Sequence, residues 1–207
     1  MGSELRRLVM VKITPTIVKV SRPNKEKTMA AYRLSEDHAI YFVTFSVVDW
    51  LPVFIAEAAC RIITDSLNFC HEKKSLRTNA FVIMPTHVHA VLFDAEYEPD
   101  RLRKTLANLR KFTGKQLIDY CTQHMPSCYR DTIQRKSGED RKNRFWQSGI
   151  HPEAILSHKF WKQKVDYIHT NPPRKGLVLE PHQWRYSSAA YWLTEGDSDV
   201  ILTAVEW

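Results

Sequence analysis

Two apolar segments, Asn79-Ala80-Phe81-Val82-Ile83-Met84 and Val88-His89-Ala90-Val91-Leu92-Phe93, are separated only by Pro85, Thr86 and His87. Both are rich in the residue types that favour strands, and the proline marks a turn between them. A link this short joins two strands only as an antiparallel hairpin, because a parallel pair needs a crossover of a dozen or more residues. An antiparallel sheet accommodates such a pair.

The other elements are read around that hairpin. Ala39-Ile40-Tyr41-Phe42-Val43-Thr44-Phe45-Ser46-Val47 predicts an earlier strand. Ile55, Ala59, Ile62, Ile63, Leu67 and Cys70 recur at helical spacing and predict a helix ending near Cys70. A second helix is expected from Pro99 to Tyr120, with proline tolerated in its first turn and Leu102, Leu106, Leu109 and Leu117 facing the core. Residues 124–143 read as a polar, charged loop. Phe145-Trp146-Gln147 opens a possible strand, and a third helix is expected from His158 to about Thr170. It should stop near Asn171, because Pro172 and Pro173 lack the backbone N–H and push the preceding residue out of the α region.

The order strand, helix, strand, strand, helix, strand, helix suits the α+β class. A ferredoxin-like sandwich, one antiparallel sheet with helices over one face, accommodates it, as would other α+β folds. Residues 1–30 read as an N-terminal extension ending in a polar run, 31–193 as one domain, and 194–207 as a C-terminal tail.

A chain of 207 residues that is 43% hydrophobic is large enough for one sizeable core. No apolar run is long enough to span a bilayer, and Met1 to Met29 holds no signal-peptide core. A cytoplasmic location without a membrane partner is the resulting expectation. Cys60, Cys70, Cys121 and Cys128 match neither a zinc knuckle nor a redox pair and are expected to pack as small hydrophobes. The net charge is +7, yet Arg101 to Arg144 alone holds twelve basic and four acidic residues. Such a concentration suits a polyanion, and it equally suits a solvated helix face and loop.

Two groups could carry chemistry. His87 and His89 flank Val88 on the second hairpin strand, so their side chains point to one side and could converge on a cation. The same pair could be structural. Tyr167 falls at the flank of the third helix, roughly 120° from Trp161 in its buried stripe. Asn171 and Gln163, four residues to either side, share its face. Tyr167 could hold its hydroxyl free over a cleft, or simply snorkel from the core. Read together, the halves suggest a mechanism. A phenol with a pKa near 10 is a poor nucleophile at neutral pH unless it is activated. A cation held by two imidazoles, with an amide oxygen from Asn171, could polarise a phosphate that Tyr167 attacks.

Three blocks then carry a resemblance: Met84-Pro85-Thr86-His87-Val88-His89; Phe145-Trp146-Gln147-Ser148-Gly149; and Tyr167-Ile168-His169-Thr170-Asn171-Pro172-Pro173-Arg174-Lys175-Gly176-Leu177-Val178. His182-Gln183-Trp184-Arg185-Tyr186-Ser187-Ser188 adds a weaker fourth. In this order, over about residues 38–192, the chain resembles the HUH single-tyrosine transposases, specifically the REP-associated tyrosine transposases of bacteria.

The resemblance implies the HUH endonuclease fold, a ferredoxin-like or RRM-like antiparallel sheet with helices packed on it. It implies Mg²⁺ or Mn²⁺ bound by His87, His89 and Asn171, with Tyr167 as nucleophile. It also implies cleavage and rejoining of single-stranded DNA near palindromic hairpins through a 5′-phosphotyrosine, by a nucleoid-associated monomer or homodimer. A domesticated protein that binds hairpin DNA without cutting it is the alternative. So is a phosphodiesterase in which water attacks, or a replication initiator using the same chemistry. Arg103, Lys104, Arg110, Lys111 and Lys115 on the second helix, with Arg174 and Lys175 past the tyrosine, become the expected DNA-contacting cations. Trp146, Trp184 and Trp192 are expected to pack in the core rather than stack on bases. The Asn-Pro-Pro-Arg-Lys-Gly tail departs from the family, which commonly has an aliphatic residue after the first proline.

Overall fold

The computed structural model describes residues 40–135, 144–149 and 152–205, so the 1–30 extension lies outside the described residues. The first strand, β1 (Ile40–Ser46), is followed by two short 3-10 turns and by α1 (Glu57–Lys73). The hairpin is β2 (Leu76–Met84) and β3 (His87–Asp94), and after it come α2 (Pro99–His124) and α3 (Ser127–Arg135). A two-residue β4 (Glu153–Ala154), α4 (His158–Arg174) and α5 (Ala189–Thr194) complete the order. The strands lie in the order β2-β3-β1-β4 with every pairing antiparallel. This is the α+β, ferredoxin-like arrangement expected.

Strand alternation sends side chains to two faces, and both are covered. Tyr41, Val43 and Phe45 of β1, Phe81 and Ile83 of β2, and Val88, Ala90 and Leu92 of β3 join Leu102, Leu106, Leu109 and Leu117 of α2 in the larger core. Ile40, Phe42, Ala80, Val82, Met84, Val91 and Phe93 meet Ile168 of α4 in a second, smaller core. The expectation of helices over one face is therefore corrected: α4 lies on the opposite face from α1 and α2. Physically, β2 and β3 are apolar at successive positions, and a strand of that kind must be covered on both sides.

Three local expectations also change. Within the expected 124–143 loop, Ser127–Arg135 is helical, because Ile133 is buried against the larger core and gives a short polar segment one apolar anchor. Phe145–Gln147 is not the fourth strand: Trp146 makes an isolated bridge to Val47, and Glu153–Ala154 pairs with β1 instead.

The prolines do not stop α4 at Asn171. They lack donors but keep their acceptors, and the last turn is closed by the carbonyls of Pro172 and Pro173. These accept from the N–H groups of Leu177 at 3.0 Å and Gly176 at 2.9 Å. Gly176, at φ +69°, sits in the left-handed position that this Schellman arrangement requires. The other half of α4 is latched to a bulge in β2, where Trp161 Nε1 donates to Asn79 Oδ1 at 2.8 Å.

Beyond α5 the chain returns to the outer edge of β2, with Asn79 Nδ2 donating to the Thr203 carbonyl at 3.0 Å. Cys60, Cys70 and Cys121 are buried free thiols, as their expected packing role requires, and Cys128 is exposed. Trp146 is buried with its N–H on Thr113 Oγ1 at 3.2 Å. Trp184 and Trp192 donate to the carbonyls of Ile83 and Asn79. Among the described residues, no helix is long and apolar enough to cross a membrane.

Candidate functional site

The hairpin turn and α4 build the site together. Met84 pairs with His87 across Pro85-Thr86, so His87 is the first residue of β3 and His89 follows on the same face. Their ring centroids are 4.5 Å apart. Because Val88 faces the larger core, both imidazoles point to the α4 side. Each has one ring nitrogen held by a threonine. His89 Nδ1 lies 2.8 Å from Thr44 Oγ1, its cross-strand partner on β1, and His87 Nδ1 lies 2.9 Å from Thr86 Oγ1.

Tyr167 meets this pair from α4. Its hydroxyl is 3.4 Å from His89 Nε2, and its side chain is 38% exposed. The hydroxyl thus reaches the imidazoles rather than snorkelling away from them. Phe42 supports both rings. It stacks on His89 at 5.2 Å and meets Tyr167 edge-on at 6.0 Å. Lys164 Nζ lies 4.4 Å from the Phe42 centroid and pairs with Glu153 at 2.8 Å.

The electrostatics keep both histidines neutral. Burial pushes the His89 pKa down to about 3, helped by His87 and Lys164. Burial likewise lowers His87 to about 4, with Lys175 contributing. Neutral imidazole is the metal-binding form. If Nδ1 carries the proton and donates to threonine, Nε2 keeps its lone pair, and this is how outer hydroxyls or carbonyls orient a ligating histidine.

Asn171, one turn beyond Tyr167, is only 5% exposed, and its Nδ2 has no hydrogen-bond partner among the described residues. A buried amide left unsatisfied costs about 1–3 kcal/mol. Its oxygen and nitrogen exchange by a half-turn, so it could present an acceptor instead. Among the described residues no three His, Cys, Asp or Glu side chains converge. A cation held by His87 and His89, with the Asn171 amide oxygen as a third donor, would meet a nitrogen and oxygen set without thiolate, which suits a hard or borderline divalent ion rather than a soft one. The residues present fit such an ion.

The expected DNA-contacting cations separate into two groups. Lys175, at the end of α4, is close enough to His87 to depress its pKa, and Arg174 precedes it. Arg103, Lys104, Lys111 and Lys115 are exposed on α2, with the sheet between them and the histidines. Arg103 pairs with Asp100 at 2.6 Å. Arg110 is turned inward: it donates to the Gln147 carbonyl at 2.6 Å and lies over the Phe45 ring.

Sequence reasoning missed Thr44, Thr86, Phe42, Lys164 and Trp50, whose indole centroid is 6.1 Å from the His87 ring. Thr86 was accessible, since it adjoins His87 in the turn. Thr44 and Phe42 required the β1–β3 register, which no local pattern states.

No protein-family model matches the chain. In sequence it is similar to a Haemophilus influenzae protein named as a REP-associated tyrosine transposase, 24% identical over 149 residues that span 72% of this chain and 78% of that one. In fold it is similar to a REP-associated tyrosine transposase solved bound to a REP hairpin, with a TM-score of 0.50 and 17% identity over 80% of this chain and 82% of that one. By sequence and fold together, the chain resembles the REP-associated tyrosine transposases.

Proposed function

We propose that this protein is a metal-dependent transposase-type endonuclease that cuts and rejoins single-stranded DNA through Tyr167. The observation that carries the reading is the Tyr167 hydroxyl lying 3.4 Å from His89 Nε2, above a pair of neutral imidazoles. Hydrolysis by water alone gives no reason for a phenol in that position.

In this reading Tyr167 Oη attacks the scissile phosphorus. The bond from phosphorus to the 3′ oxygen breaks, the phenol gives up a proton, and the leaving oxygen gains one as a 3′-OH. The 5′ end is left on Tyr167 as a phosphotyrosine, which conserves the bond energy for rejoining. His87, His89 and Asn171 are the residues that would hold Mg²⁺ or Mn²⁺. Bound there, the ion supplies electrophilic polarisation of the phosphate. Thr44 and Thr86 fix the two imidazoles, Phe42 supports His89 and Tyr167, and Lys175 adds positive charge beside His87. The relative solved with a REP hairpin supports hairpin-forming single strands as the substrate.

The test is incubation with a labelled, hairpin-bearing single-stranded oligonucleotide and Mn²⁺, followed by a denaturing gel and mass spectrometry. A DNA-linked band that maps to Tyr167 and vanishes in Tyr167→Phe is expected. Cleavage that survives Tyr167→Phe with a free 5′-phosphate would instead assign the attack to water. DNA binding with no adduct from either protein would leave a binding module only.

A further inference from the structure

Trp50 stands at the edge of the proposed site, and nothing in the chemistry above uses it. Its side chain is 57% exposed, an unfavourable position for so large an apolar ring. Its backbone is also unusual: Asp49 and Trp50 both have left-handed φ, at 51° and 55°. Residues with a Cβ rarely adopt this conformation, and for a bulky one it is an outlier. Such outliers persist where the surroundings enforce them, and they concentrate at ligand sites.

The enforcement is visible. Val48 N–H donates to the Phe145 carbonyl at 2.8 Å, Trp50 N–H to the Val47 carbonyl at 3.1 Å, and Leu51 N–H to the Val48 carbonyl at 3.2 Å. They fix the backbone of this turn, from which the indole stands nearly perpendicular to His87, at 85° between ring planes.

Beside the indole opens a cavity of about 290 Å³ lined by Val48, Asp49, Trp50, Arg144, Gln147 and Ser148. Trp50 is the aromatic member of this lining. The rest carries two donors, Arg144 and Ser148, the Gln147 amide, whose Nε2 donates to the Val47 carbonyl at 3.1 Å and whose Oε1 is an acceptor, and one carboxylate, Asp49, which also meets Arg135 at 3.5 Å. A group that is planar, aromatic and edged with both donors and acceptors matches this lining.

We propose that Trp50 and this cavity hold one unpaired nucleobase of the strand whose phosphate reaches His87. The base stacks on the indole, with its polar edge toward Gln147 and Arg144. The proposal rests on the reading of Tyr167 and the two histidines as a DNA-cleaving centre. Stacking accepts any base, because every base has a π face, whereas the polar rim can prefer one.

Binding without cleavage separates the two claims. In a Tyr167→Phe background with chelator present, affinity for a fluorescein-labelled single-stranded oligonucleotide is read by anisotropy, with an abasic residue walked along the strand. Adding Trp50→Ala should weaken binding about tenfold, while Trp50→Phe keeps most of it. The salt dependence should be unchanged, since no phosphate contact is lost. One abasic position should cost the Trp50 protein a similar factor and cost the Trp50→Ala protein nothing further.

Trp50→Ala binding within about twofold of its parent, or parent protein that does not bind the strand, overturns the proposal. So does a loss from Trp50→Ala that no abasic position reproduces, since that loss is structural. Thermal melts of Trp50→Phe and Trp50→Ala guard against a folding defect. If the nucleotide reading holds but Tyr167 forms no adduct in the cleavage assay, only the cleavage mechanism fails.

Discussion

The Tyr167 hydroxyl and His89 Nε2 meet at 3.4 Å across 78 positions of sequence, and the other nitrogen of the same ring is held by Thr44 at 2.8 Å. Thr44 therefore governs which His89 nitrogen is presented to the phenol. Thr44→Val keeps the shape and removes the hydroxyl. Mn²⁺ affinity should fall about 10- to 100-fold, the usual cost of losing an outer-shell partner, while the melting temperature changes little. Titration followed by electron paramagnetic resonance checks this, and unaltered affinity would show that the hydroxyl does not orient the ring.

Acid should destabilise the fold through its buried histidines. His169 is 4% exposed, with Nε2 2.8 Å from the Ser188 hydroxyl. Burial pushes its pKa down to about 4, opposed by Asp166. An unfolded histidine titrates near 6.5, so between those values the unfolded chain binds a proton that the folded chain does not. The stabilisation is complete above about pH 6.5 and is lost as pH falls toward 4, by up to about 1.4 kcal/mol per pH unit for this group. His169→Gln should flatten the pH dependence of denaturant unfolding over that window in chelated protein. An unchanged slope would mean that His169 protonates in place.

The basic residues should divide by location. Lys175→Gln is expected to lower single-stranded DNA affinity and reduce the slope of log affinity against log salt by about one. Arg110→Ala should act mainly on stability, costing about 1–3 kcal/mol, because it strands a carbonyl that now accepts from a guanidinium. Lys111→Gln, on the far side of the sheet, should leave adduct formation intact. Anisotropy titrations, chemical denaturation and adduct assays on the three variants decide the matter together.

Gly176→Ala isolates the cost of the turn that ends α4. Nothing lies within 4 Å of where a Cβ would sit, so the penalty is that of a left-handed backbone alone. A loss of about 1 kcal/mol, or about 2–4 °C in melting temperature, is expected by calorimetry.

The hairpin, the antiparallel sheet and the three long helices were legible because each rests on local periodicity and turn chemistry. The pairing of His87 with His89 was legible for the same reason. What escaped depended on distance. The covering of both sheet faces follows from how the α4 segment returns, and Thr44 joined the site only through its pairing opposite His89. The prolines misled for a subtler reason. A missing donor matters little in a last turn whose carbonyls are capped from beyond, so the rule that ends most helices gave way at Pro172 and Pro173. Arg110 had the same spacing as its exposed neighbours, and only its depth sets it apart.

The helix that carries Tyr167 is fastened to the sheet on either side of that residue, by Trp161 on Asn79 and by His169 on Ser188, whose hydroxyl in turn accepts from the Phe81 N–H of β2. A phenol mounted in this way travels with the sheet and has little swing of its own. In the proposed reaction, whatever threading, bending or unpairing is demanded falls to the nucleic acid, whose local melting would then govern turnover more than any gating by the protein.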